Sequence, residues 1–464
     1  MVPSTKQHLG WALALLAFAQ LIFSLDINIV YVALPDIGRS LGFSGQTLQW
    51  VVSAYTVFAG GFLLFGGRAA DLLGRRRVFV CALVLYAGSS LVGGFAGEPR
   101  VLVLARVVQG LGGALLLPST LALIGNLFAE GSARNRALAV WGGAGASGLT
   151  LGALLGGVLT QAFGWPAVFF VNVALAGVAA IAAFVVIPKD VPAEGKQGFD
   201  VPGAVAVTLS ATLFVYILVQ APADGWDSPL VLGAFGIAMI SAVSFVLIER
   251  RAADPLLPLG LLANRNVAVG VGITFVYMGT FGALPYFLTV LLQDVHRFTA
   301  LQTGLAFLVP SVAIAAGTQI GERVVNRLGG RAALFIGFGI GLPGTIILAL
   351  AFTGHAGYLM LVPGLVISGL GQGIVWTAMW IVAATGVPSE KQGVANGLAS
   401  TALNIGNAVG LAVLVAVASM RSDSGADVSG DRAAVLVAAA LMVVGIVAAS
   451  LLAGRRVRDL VDVA

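Results

Sequence analysis

Between Leu9 and Leu34 the sequence is one apolar stretch, LGWALALLAFAQLIFSLDINIVYVAL, interrupted by a single acid, Asp26. A helix of that length crosses the ~30 Å hydrocarbon core of a bilayer, so the stretch predicts a transmembrane span. The pattern recurs to the end of the chain: apolar runs of roughly 20 residues, parted by clusters of Gly, Pro and charge, predict fourteen spans. They lie near residues 9–34, 46–67, 77–96, 101–125, 137–160, 166–187, 202–221, 229–248, 266–292, 302–320, 332–353, 358–385, 393–419 and 433–453. The runs do not alternate polar with apolar, which argues against barrel strands, and 62 glycines suit helices that approach closely through small residues.

Composition agrees with a membrane protein. The 464 residues are 59% hydrophobic and 10% charged, against a charged share of ~25% in soluble domains. One cysteine, Cys81, and three histidines leave no material for a disulfide framework or a zinc site, so no metal and no cofactor is expected. The charged loops then set orientation. With the N-terminus in the cytoplasm, nineteen of the twenty-five Lys and Arg fall in inner segments, among them Arg75, Arg76, Arg77 and the C-terminal Arg455, Arg456 and Arg458. The positive-inside rule therefore predicts both termini in the cytoplasm of a multi-pass protein. That bias accounts for the net charge of +5 without a nucleic-acid partner. A cleaved leader is not expected, because the first run is too long.

The chain also repeats itself. Residues 66–76, GGRAADLLGRR, match residues 321–331, GERVVNRLGGR, at Gly66/Gly321, Arg68/Arg323, Leu73/Leu328, Gly74/Gly329 and Arg76/Arg331. The tripeptide Gly110 to Gly112 recurs at Gly369 to Gly371, and the pair Gly148 and Gly152 recurs as Gly406 and Gly410. Each span thus corresponds to the one eight places later. The predicted fold is all-α and polytopic: a six-helix bundle in residues 1–200, two inserted helices in 201–250 and a second six-helix bundle in 251–464. Two halves in the same orientation suit a transporter that rocks around a central site.

Four segments sharpen this picture: LDINIVYVALP, QWVVSAYTV with GGRAADLLGRRR, ARVVQGLGGALLLPS and GLTLGALLGG. Together they resemble the major facilitator superfamily, and within it the 14-spanner drug:proton antiporters. The family's usual Thr and Asn are replaced by Asn28 and Tyr31, an Arg by Leu72 and a Pro by Ala153. The resemblance implies export of drugs or antibiotics against protons across the cytoplasmic membrane of a bacterium, by a monomer. It implies that Gly67, Arg68, Asp71, Gly74, Arg75 and Arg76 form a gating motif that locks the cytoplasmic side. It also implies that Gly148, Gly152, Gly156 and Gly157 form the antiporter motif. For the loop, topology-setting charge alone is an alternative that explains the arginines but not Asp71. For any single glycine the alternative is ordinary helix packing.

Asp26 and Arg106 are the charged residues placed well inside spans. At 1.5 Å per residue, Asp26 lies ~12 Å and Arg106 ~9 Å below the outer ends of spans 1 and 4, so their depths agree. An acid there costs ~2.5–3.5 kcal/mol to insert, which predicts that Asp26 gains and loses a proton while Arg106 favours its ionised form. A static ion pair is the alternative. No GxxxxGK[ST] motif offers ATP as an energy source. Gln20, Asn28, Tyr31, Trp50, Tyr55, Gln109, Tyr277, Tyr286, Trp376, Trp380 and Asn404 are the polar and aromatic residues expected around a central cavity. With no acid inside the second half's spans, the expected cargo is a hydrophobic small molecule, neutral or monocationic. A proton symporter or a dedicated metabolite exporter on the same fold is the alternative.

Overall fold

The computed structural model describes residues 5–45, 47–129, 132–190, 200–252, 255, 260, 263–353, 357–385, 387, 392–420 and 428–452. The loop 421–427 and the C-terminal arginines lie outside them. Among the described residues every regular element is a helix. In order these are α1 (Thr5–Leu41), α2 (Trp50–Gly61), α3 (Leu63–Leu73), α4 (Arg75–Gly94), α5 (Pro99–Leu127), α6 (Ser132–Phe163), α7 (Ala167–Val186), α8 (Val201–Asp224) and α9 (Pro229–Arg251). There follow α10 (Arg265–Thr280), α11 (Leu284–Val290), α12 (Ala300–Ala306), α13 (Leu308–Ala351), α14 (Tyr358–Ala384), α15 (Gln392–Ser419) and α16 (Ser429–Ser450).

Twelve helical stretches among the described residues are long and apolar enough to cross a membrane. Two features separate this number from the fourteen expected. The second expected span is divided into α2 and α3 at Phe62, whose backbone leaves the helical region (φ −98, ψ 4). A second stretch, Ala300–Ala351, runs for 52 residues, more than twice what a bilayer needs. Within it Gly329 breaks the helical path at φ 84, ψ 165. The repeat predicted this position: Gly74, its partner in the first half, has φ 101 and ψ 131 and separates α3 from α4. Only glycine adopts such angles without a steric penalty, which is why both copies keep it.

The outward faces are apolar. Val178, Ile181, Phe184 and Val185 of α7 and Leu230, Phe235, Ile237 and Ile240 of α9 are all exposed, a surface that water does not tolerate and lipid tails cover. The molecule is a multi-pass membrane protein.

The chain divides into two compact units, one of residues Met1–Leu256 with Pro285–Leu308, the other of Leu257–Leu284 with Val309–Ala464. In the first, α6 lies along α1 with its glycines against the α1 backbone. A Cβ on Gly148 would stand 2.6 Å from the Leu21 carbonyl oxygen, one on Gly156 would stand 2.8 Å from that of Ile29, and one on Gly152 would collide with that of Leu25. In the second unit Gly406 and Gly410 of α15 press in the same way on Phe275 and Gly279 of α10. The repeated glycines thus keep equivalent partners. The inserted helices α8 and α9 pack on each other, and α8 is seated on α2 where Gly61 meets Thr208.

Candidate functional site

The α6 glycines hold the α1 backbone on both sides of Asp26, whose side chain is wholly buried within the first unit. A buried carboxylate needs donors for its lone pairs, and two helices supply three of them. Arg106 Nη1 of α5 donates to Asp26 Oδ2 at 2.6 Å. Gln109 Nε2, one turn further along α5, donates to Oδ1 at 3.0 Å. Asn172 Nδ2 of α7 donates to the same oxygen at 2.6 Å. Arg106 is itself gripped from several sides: its Nε donates to the Val51 carbonyl at 2.8 Å, its Nη1 also donates to Gln109 Oε1 at 2.7 Å, and its guanidinium lies 4.4 Å from the Tyr55 ring centroid. Gln109 Nε2 completes the network by donating to Ser90 Oγ of α4 at 3.0 Å. Asp26 and Arg106 are therefore in direct contact, and Gln109 and Tyr55, expected in a cavity, belong to the same cluster.

Asn172 and Ser90 were not anticipated from sequence. A signal for the first existed: Asn172 is the one polar residue in VFFVNVALAG and sits inside an apolar span, as Asp26 does. Being neutral, an amide is cheaper to bury than a charge and so stands out less.

The turn between α3 and α4 is built around a second carboxylate. Asp190, just beyond α7, accepts from the backbone N–H of Arg76 at 2.9 Å (Oδ1) and of Arg77 at 3.1 Å (Oδ2). These are donors that the first turn of α4 leaves open, and the helix dipole favours an anion there. Arg76 Nη2 donates to the Phe184 carbonyl at 2.6 Å, with its guanidinium over the Phe184 ring. Arg68 is half-buried in α3 and Gly67 faces Pro118, while the Asp71 side chain lies outside the described residues. Asp190 follows the sixth expected span, and nothing in its sequence neighbourhood reveals that the turn at Gly74 brings a helix end to it.

The last glycine of the α6 set points elsewhere: a Cβ on Gly157 would stand 2.6 Å from the Ala300 carbonyl oxygen of α12, and one on Gly304 would stand 2.6 Å from that of Ala153.

A model of the Major Facilitator Superfamily matches residues 16–411. The chain belongs to this superfamily. As a member it is a transporter and not an enzyme. The puromycin resistance protein pur8 of Streptomyces alboniger is 35% identical over 410 residues, covering 87% of this chain and 80% of that protein. The cephamycin export protein CmcT of Amycolatopsis lactamdurans is 35% identical over 413 residues, 88% of this chain and 84% of its own. The multidrug resistance protein Stp of Mycobacterium tuberculosis (strain CDC 1551 / Oshkosh) is 32% identical over 394 residues, 85% and 73% of the two chains. Among solved structures, the nucleoside transporter NupG superposes with a TM-score of 0.70 at 13% identity, covering 96% of this chain and all of its own. The likeness to NupG concerns the fold alone.

The remaining residues expected around a cavity fall in both units of the transporter. In the first, Gln20 Nε2 donates to Ser24 Oγ at 3.2 Å, Tyr31 is buried, Asn28 and Trp50 are half-buried, and Tyr286 OH donates to the Gly45 carbonyl at 3.2 Å. In the second, Tyr277, Trp376 and Trp380 form an aromatic row with successive ring centroids 5.7 Å apart, and Asn404 Nδ2 donates back to the Ser400 carbonyl at 2.9 Å. The repeat relates Ser90 and Gln109 to Thr345 and Ser368, and these hydroxyls also meet, at 3.0 Å. Arg106 corresponds to the buried Leu365. Thr280 follows Gly279 as Asp26 follows Leu25, and its hydroxyl is spent on the carbonyls of its own helix. The second unit keeps the neutral part of the network without its charges.

Proposed function

We propose that this transporter exports hydrophobic antibiotics or other drugs from the cytoplasm in exchange for protons, by alternating access in the cell membrane of a bacterium, with fourteen spans and both termini inside. The observation that carries the proton step is the carboxylate of Asp26, fully buried and held by three donors, two of them neutral amides. A stabilising ion pair gains little from such a setting, because desolvation offsets the Coulombic attraction. A carrier of protons gains much. With Asp26 ionised, Arg106 is held on Oδ2. Once Asp26 takes up a proton that attraction weakens, while Val51, Gln109 and Tyr55 still hold the guanidinium in place. Arg106 thus stays buried in both forms, and what changes is the bond between α1 and α5.

The relatives support the cargo. Proteins named for puromycin resistance, cephamycin export and multidrug resistance share about a third of their residues with this chain over more than 390 positions. The aromatic row Tyr277, Trp376 and Trp380 offers apolar surface of the kind that binds neutral or monocationic hydrophobic molecules. The name of the cephamycin exporter favours a second reading, a pump dedicated to one product.

A susceptibility panel across chemically diverse compounds separates the two. Protection against several classes is expected for a drug exporter, and against one for a dedicated pump. In proteoliposomes, drug movement should drive protons the opposite way. Asp26→Asn should abolish both protection and proton exchange while leaving membrane insertion intact. Full efflux by that variant overturns the reading of Asp26.

A further inference from the structure

We propose that Asn172 is the positioning residue that lets Asp26 change protonation inside a sealed site, its side-chain amide turning over to donate to the carboxylate and to accept from the carboxylic acid. The inference rests on the reading of Asp26 as the proton carrier.

When a proton adds to Asp26 Oδ1, an O–H bond forms, the charge goes from −1 to 0, and an oxygen that accepted two hydrogen bonds becomes a donor. It then faces two N–H groups, Gln109 Nε2 at 3.0 Å and Asn172 Nδ2 at 2.6 Å, and needs an acceptor. The nearby acceptors are engaged: Gln109 Oε1 takes Arg106 Nη1, and the Val51 carbonyl takes Arg106 Nε. Of the two side-chain amides bonded to Asp26 Oδ1, Asn172 keeps the unengaged oxygen. It is fully buried and accepts no hydrogen bond, although orphaned acceptors of this kind are uncommon.

A half-turn about Cβ–Cγ exchanges the two ends of the amide, which are nearly equal in size. It brings Oδ1 to where Nδ2 now stands, against Asp26 Oδ1, and gives up the long 3.4 Å contact to the Val168 carbonyl. Gln109 has no such freedom, since turning its amide would aim Nε2 at the Arg106 guanidinium and withdraw the donor from Ser90. Release of the proton breaks the same O–H bond and returns the amide to its first position.

The charged and titratable groups facing Asp26 are Arg106 of α5, Tyr55 of α2 and Tyr86 of α4. The apolar length of α6 beyond Trp141 and the whole of α7 contribute none. The sign of the effect follows. The amide gives the carboxylate a charge-assisted bond and takes from the acid only a neutral one, about half as strong. Removing it weakens the ionised form more than the protonated one.

Infrared difference spectroscopy of the reconstituted full chain across a pH titration tests this. The native protein is expected to show a carboxylic acid C=O band, lost in Asp26→Asn, and a side-chain amide band that titrates with the same midpoint. In Asn172→Leu the amide band should vanish and the carboxylic acid midpoint should rise by about one pH unit, with drug-driven proton exchange slowed about tenfold at neutral pH. If Asn172→Leu does not reach the membrane, Asn172→Ala carries the same expectations. An acid band lost in Asp26→Asn but unmoved in the Asn172 variant overturns the role of Asn172 and leaves Asp26 as the carrier. A band unaffected by Asp26→Asn overturns both.

Discussion

Removing the Arg106 guanidinium would leave Asp26 as an uncompensated charge in a site with no solvent exposure, a loss of about 3–5 kcal/mol for a buried pair. Arg106→Ala should therefore lower the thermal unfolding midpoint in detergent more than the double variant Asp26→Asn with Arg106→Ala, in which no charge is stranded. Equal midpoints for the two would mean that the pair is solvated in the membrane. At this scale the sequence was legible where a residue is expensive. Asp26 and Arg106 stand out as charges in apolar runs, and matching depths suggested their contact. Asn172 obeys the same logic at lower cost, so it does not stand out among other neutral polar residues. Asp190 was illegible, because its partners are two backbone N–H groups, which every sequence contains.

Helices α1 and α6 meet through backbone, so the space at each glycine decides what it tolerates. Gly152→Ala would drive a methyl into the Leu25 carbonyl one residue before Asp26, and should destabilise the protein by about 1–3 kcal/mol and slow transport. Gly142→Ala in the same helix meets nothing within 4 Å and should be neutral or stabilising by up to ~1 kcal/mol. Comparable melting losses for both would show that helix propensity, and not the close approach, governs α6. At the end of α4, Asp190→Ala removes an acceptor for two open N–H groups and should cost about 1 kcal/mol of stability. Unchanged melting would mean that water replaces the carboxylate there. Element positions were largely readable from apolar length, and the paired glycines at 74 and 329 marked two breaks. The break at Phe62 was not readable, since no residue there forbids a helix.

At the scale of the whole molecule, α8 and α9 are the pair that the repeat leaves out, and fourteen crossings require both to span the membrane. In a Cys81→Ser background, cysteines placed at Glu98 and Ser228 should react with an impermeant reagent added to intact cells. Cysteines at Arg77 and Arg327 should react only after permeabilisation. Protection of Ser228→Cys in intact cells would remove the inserted pair from the membrane and reduce the count. The duplication visible in sequence survives as paired contacts, Gly148 with Leu21 beside Gly406 with Phe275, and Ser90 with Gln109 beside Thr345 with Ser368. What the sequence could not show is that each unit hides its own polar cluster, because burial depends on which helices become neighbours. The sealing of Asp26 also bears on the cell's respiration. An acid reachable from both faces at once would act as an uncoupler, draining the gradient that feeds ATP synthesis. If Asp26 carries protons as proposed, closing its carboxylate off from water means that an idle copy draws no current, and the transporter can stay in place before its cargo arrives.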